Sequence, residues 1–180
     1  MMRLPTLPSR LPLGDSGLTL RPIDLTDIPS WYRYLAMPHV IEHTSWNLNS
    51  ADDLRPIITS SNTDDVNSPI RLAILEKSTQ TFVGTIGFPI ISRINRNAEL
   101  AYDLHPDYWG KGIASLCSRA LVQWAITEAE FVRVQATVLD TNLASARVLQ
   151  KLGFQQEAYL KKYRIVRGEP RDYLMFAMTN

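Results

Sequence analysis

Residues 98–139 constrain the fold more than any other part of the chain. "AELAYDL" (98–104) alternates apolar and polar residues, the period of a half-buried strand. "YWGKGIAS" (108–115) then sets two glycines around a lysine. Beyond it, Ile113, Leu116, Cys117, Ala120, Leu121 and Trp124 recur at the spacing of one helix face. "FVRVQATVL" (131–139) alternates again. Strand, crossover helix and strand make a unit whose two strands lie parallel in one sheet. The glycines bare the first turn of the helix, whose N–H groups have no partner inside it and whose dipole favours negative charge. Such a turn suits an anion, a phosphate above all.

The flanking sequence fills out the sheet. "LTLRPID" (18–24) reads as a strand, and Asp24 or Thr26 can cap a helix reaching about Ala36, with Pro29 tolerated in its first turn. "MPHVIEHTSWN" is a loop or broken helix. Ser50 and Asp53 have capping-box spacing before Leu54, Ile57 and Ile58. Strands over 70–77, 81–92 and 98–104 form an antiparallel meander. Ser145, Val148, Leu149 and Leu152 mark a short helix stopped by Gly153. Strand patterns at 154–167 and 171–178 flank a turn at Gly168-Glu169. The order predicts one α/β domain of the α+β type over 17–180. Its central sheet is mixed but mostly antiparallel, with helices on both faces. Residues 1–16 read as an extended N-terminal arm.

A formal net charge of +1 argues against a nucleic-acid partner. The single cysteine, Cys117, excludes an internal disulfide and fits a reducing, cytoplasmic setting. No apolar run reaches the ~20 residues that span a membrane. Arg3, Pro5, Pro8, Arg10 and Pro12 interrupt the N-terminal stretch, so no signal peptide is expected. No metal is expected either.

Three phosphate-binding patterns compete at 108–115. The nucleotide P-loop does not match. A dinucleotide fingerprint accommodates Gly110 and Gly112, but Ser115 stands where its third glycine belongs, and the preceding strand is polar and alternating. The third is a pyrophosphate on successive backbone amides. "ELAYDLHPDYWGKGIAS" resembles motif A of the GNAT superfamily of acetyl-CoA-dependent N-acetyltransferases, and more narrowly the Rim-type branch that acetylates N-termini of ribosomal proteins. The pattern Q/R-x-x-G-x-G/A falls on residues 109–114, with Trp109 in place of Gln/Arg. "NLASARVLQKLGF" (142–154) resembles a second family segment, and "VRGEPRDYLMFAM" its terminal hairpin, so the resemblance covers about 17–178.

The resemblance implies direct acetyl transfer from acetyl-CoA to a primary amine, foremost a protein N-terminal α-amine. The alternatives are a small-molecule amine and a non-catalytic acyl-CoA sensor. It implies cofactor contacts from Leu104, Trp109, Gly110, Lys111, Gly112, Ile113, Ala114, Ser115, Asn142 and Ser145. Glu99 is the candidate base, and Ser145 a candidate helper of the leaving thiolate. Leu149 stands where many members carry a tyrosine acid. Trp46 and Tyr102 are candidate substrate contacts. No membrane partner is implied, and the chain is expected as a monomer or homodimer.

Overall fold

The computed structural model describes residues 11, 13–62 and 68–180. Seven strands form one sheet: β1 (Leu18–Pro22), β2 (Ile70–Glu76), β3 (Phe82–Ser92), β4 (Asn97–Leu104), β5 (Arg133–Leu139), β6 (Gln155–Val166) and β7 (Glu169–Thr179). Their order is β1-β2-β3-β4-β5-β7-β6. Only β4 and β5 pair in parallel; every other neighbouring pair is antiparallel. The expected α/β architecture is therefore present, with element ends shifted by a residue or two. The arm expected over 1–16 falls largely outside the described residues, though Leu11 and Leu13 are buried in the core.

Helices cover both faces. α4 (Ile113–Thr127) and α5 (Leu143–Lys151) pack on one face. Cys117, Leu121, Trp124 and Leu149 meet Leu72, Ile86, Leu100 and Val134 there, in the larger core. Cys117 is fully buried, and burial pushes its thiol up to about 12, the state of an inert core cysteine. The other face carries α1 (Ile28–Leu35), α2 (Pro38–Ile41) and α3 (Arg55–Ser60). Trp31, Tyr34, Leu35, Val40 and Leu54 pack there on Ala73 and Leu75 of β2. Fully burying one such apolar side chain contributes about 1.5–3 kcal/mol.

Local chemistry sets the helix ends. Asp24 caps a 3-10 turn at Leu25–Asp27 that runs into α1. Ser50 and Asp53 form their capping box. The stretch expected over 37–47 as a loop or broken helix holds the short α2, begun by Pro38, followed by a loop. Gly84 is needed inside the sheet. A Cβ there would lie 2.3 Å from the Asp103 carbonyl oxygen, so only glycine lets β3 approach β4 so closely.

The β4–β5 pairing is short. It runs only from Asn97–Arg133 to Glu99–Gln135, although both strands continue further. Beyond Glu99 the strands part, and the β5-facing backbone groups of β4 have no strand partner. This gap joins the two faces of the sheet.

Candidate active site

A cavity of about 310 Å³ lies at that gap. Its wall includes Glu99–Asp103 of β4, Ala136–Leu139 of β5, Asn142, Ser145 and Leu149 at α5, and His43–Trp46. Arg71, Pro89, Arg164 and Tyr173 complete it. Five expected site residues thus share one cavity: Glu99, Tyr102, Asn142, Ser145 and Trp46. The expected cofactor residues 104 and 109–115 are not on its wall; they form the end of β4, the turn after it and the start of α4.

Glu99 is buried on β4. Thr137 Oγ1 donates to its Oε1 at 2.8 Å, and Arg164 Nη2 donates to the same oxygen at 3.0 Å. Oε2 has no partner among the described residues. One oxygen is anchored and the other is available to a ligand or a water.

Tyr102 donates its hydroxyl to the Ser145 carbonyl at 3.4 Å, and burial pushes the phenol up to about 12. Asn142 caps α5 by accepting from the Ser145 amide at 3.0 Å, while its Nδ2 donates to the His43 carbonyl at 2.8 Å. Its side chain is therefore engaged on both sides, tying α5 to the 43–47 loop. The Ser145 hydroxyl has no partner among the described residues. Leu149 is fully buried and lines the cavity.

At the head of α4, Gly110 and Gly112 adopt φ +73° and +75°, which suit glycine. Nothing lies within 4 Å of a Cβ built at either. The space that side chains would take at these two positions is open. Lys111 sits over the Tyr108 ring at 5.1 Å. Trp109 donates its indole N–H to the Leu104 carbonyl and meets the rings of His39 and His43.

Sequence reasoning missed a polar cluster on the α1–α3 side. Asp103 accepts from Trp31 Nε1 at 2.9 Å and from the Tyr34 hydroxyl through Oδ1, and from Thr85 at 3.0 Å through Oδ2. Burial raises the Asp103 carboxyl, while Arg71 and these donors pull against it. Burial also holds the Tyr34 phenol well above its ordinary range. Trp46 stands edge-on to Trp31 with ring centroids 5.5 Å apart. Its loop is clasped by the β6–β7 hairpin: Asn47 donates to the Ile165 carbonyl and accepts from the Arg167 amide, and Arg167 Nη1 donates to the carbonyls of Thr44 and Trp46. Tyr173 was missed as well. It is buried on the cavity wall, and its hydroxyl has no partner among the described residues.

The acetyltransferase (GNAT) domain family matches residues 17–155. The chain belongs to the GNAT acetyltransferase family. The "Uncharacterized N-acetyltransferase p20" of Bacillus licheniformis is 31% identical over 165 residues, covering 89% of this chain and 92% of that one. The "[Ribosomal protein uS5]-alanine N-acetyltransferase" of Escherichia coli is 25% identical over 113 residues, 62% of this chain and 58% of that one. Among solved structures, the microcin C7 self-immunity acetyltransferase MccE, in complex with acetyl-CoA and AMP, superposes with a TM-score of 0.81 at 24% identity, covering 97% and 98% of the two chains.

Gly110 and Gly112 leave open the space that side chains would take at the head of α4, and the parted strands leave β4 groups without a strand partner beside a cavity. Among the described residues, no group of three or more His, Cys, Asp or Glu is placed to hold a metal, and no helix is long and apolar enough to cross a membrane.

Proposed function

We propose that the enzyme acetylates a primary amine by direct transfer within a ternary complex, with the acceptor entering from the α1–α3 face. A protein N-terminal α-amine is the foremost candidate. The observation that carries this reading is Glu99, whose Oε1 is held by Thr137 and Arg164 while Oε2 is left without a protein partner.

Bound acetyl-CoA supplies a thioester carbonyl open to attack. The chain's residues do the rest. Gly110, Lys111, Gly112, Ile113, Ala114 and Ser115 present amides to the diphosphate. Leu104 and Trp109 flank that turn, and the unpaired edge of β4 offers donors to the carbonyl oxygen as charge develops on it. Glu99 Oε2 takes the amine proton, directly or through one water. An α-amine has a pKa of about 7.7–8.0 against about 10.4 for a lysine, so a carboxylate is a sufficient base for it. As the C–N bond forms and the C–S bond breaks, the leaving sulfur needs a proton. Leu149 cannot give one. The hydroxyls of Ser145 and Tyr173, on the wall and without partners among the described residues, are the candidates to give one. Asn142 positions α5 and the 43–47 loop, while Tyr102 and Trp46 border the acyl and acceptor spaces.

Thiol release from acetyl-CoA tests the reading, with mass spectrometry on the acceptors. The panel holds free-N-terminus peptides, N-blocked lysine peptides, polyamines and an aminoglycoside. Acetylation of free N-termini alone is expected. Acetylation of a polyamine or aminoglycoside alone would move the acceptor to small amines, and tight binding without release on any acceptor would favour a sensor.

A further inference from the structure

Arg71 is a buried cation on the cavity wall that the acetyl-transfer chemistry does not use. Its residue exposure is 5%. Nη1 donates to Thr85 Oγ1 at 3.2 Å, and Thr85 passes its own proton on to Asp103. The direct approach of Arg71 to Asp103 is 3.9 Å, too long for a hydrogen bond. Both Asp103 oxygens are already occupied by Trp31, Tyr34 and Thr85. A guanidinium has five N–H donors. Nε and Nη2 have no hydrogen-bond partner among the described residues. The group instead lies beside the perpendicular Trp31–Trp46 pair, 5.7 Å from the Trp31 centroid and 5.8 Å from that of Trp46.

Leaving a buried charge partly paired is costly, and a planar fork packed against an aromatic pair is pre-set for a carboxylate or phosphate. The sheet register puts Arg71 on the same face as Glu99. Arg71 pairs with Gly87, Gly87 with Ala101, and Glu99 lies two residues before Ala101. Two strand spacings across and two residues along separate the two Cα atoms by about 12 Å. Both side chains reach into the same cavity from there.

We infer that Arg71 is an anion-binding subsite for the acceptor, so that the amine presented to Glu99 carries a carboxylate or phosphate a few bonds away. The anion could sit on an acidic second residue of a peptide or on a small anionic amine. Polycations are poor acceptors on this account. The inference rests on the acceptor reading above but is tested by binding alone.

The protein is saturated with CoA, so the coenzyme's phosphates are already bound, and the indole N–H signals of Trp31 and Trp46 are followed by NMR. The titrants are two matched pairs: Ala-Asp-Ala-amide against Ala-Asn-Ala-amide, and O-phosphoethanolamine against ethanolamine. In at least one pair the anionic member is expected to bind about tenfold tighter or better and to shift both indole signals. The pair that responds names the source of the anion. In Arg71→Gln the preference should fall to within about twofold. Should that variant fail to fold, the wild-type pairs decide alone. Equal binding within both pairs, or no binding by any of the four, overturns the inference. Thiol release is not read, so failure of acetyl transfer would sink the proposed function without touching this result.

Discussion

The head of α4 and the α1–α3 side of the cavity handle charge in opposite ways. At α4 the donors are backbone amides of consecutive residues, 110–115, bared by two glycines and backed by one helix dipole. Across the sheet the polar groups are side chains: Trp31 and Tyr34 from α1, Arg71 from β2, Thr85 from β3, Asp103 and Glu99 from β4, Thr137 from β5 and Arg164 from β6. One region is a local turn of the kind that suits a generic anion. The other is a long-range assembly, in which each carboxylate is partly committed to its neighbours. The first can be disturbed by one residue without loss of fold, whereas the second couples recognition to stability.

That contrast can be broken most sharply at Gly112. Gly112→Asp places a carboxylate where a diphosphate would lie, with room for the side chain but in a left-handed backbone conformation that costs an L-residue about 1 kcal/mol. Acetyl-CoA binding should weaken about 100-fold or more, while the melting curve stays cooperative and drops by only a few degrees; calorimetric titration checks it. Glu99→Gln should keep acetyl-CoA affinity and lower kcat about 100-fold. Full activity in a folded Glu99→Gln protein would reduce Glu99 to a strut for Arg164. Tyr34→Phe removes a donor to the buried Asp103 and should cost about 1–3 kcal/mol in a denaturant melt, with acetyl-CoA affinity unaltered. If Tyr34→Phe is as stable as the parent, the polar cluster is not the coupled unit described. The smallest effect is expected at Asn47. Asn47→Ala loosens the loop from the β6–β7 hairpin and should raise the acceptor KM about fivefold, the worth of roughly 1 kcal/mol, leaving kcat near the parent value.

The same contrast explains what the sequence disclosed. The α4 turn was legible because its chemistry is contiguous: glycine, lysine, glycine and a helix period lie within a few residues. Glu99 could be nominated from its place on the strand before that turn, and Asn142 from its capping position. That Asn142 also ties down the 43–47 loop could not be read, since His43 is 99 residues away in the chain. The Arg71–Thr85–Asp103 relay was illegible for the same reason. Nothing local to any of the three strands marks its residue, and only the register of β2, β3 and β4 gives them a shared face. Tyr173 looked like any strand tyrosine; its orphan hydroxyl is a property of the packed cavity. Leu149 carried the opposite signal: an apolar residue at that helix position already said that any proton donor must come from elsewhere.

Hydrogen–deuterium exchange with and without acetyl-CoA is the most direct test of the division between the two regions. The account predicts slowed exchange at the amides of 110–116 and along the unpaired edge of β4 from 100 to 104, with the β6–β7 hairpin and α1 unchanged. Protection confined to α1 and the hairpin, with the head of α4 exchanging as before, would contradict it.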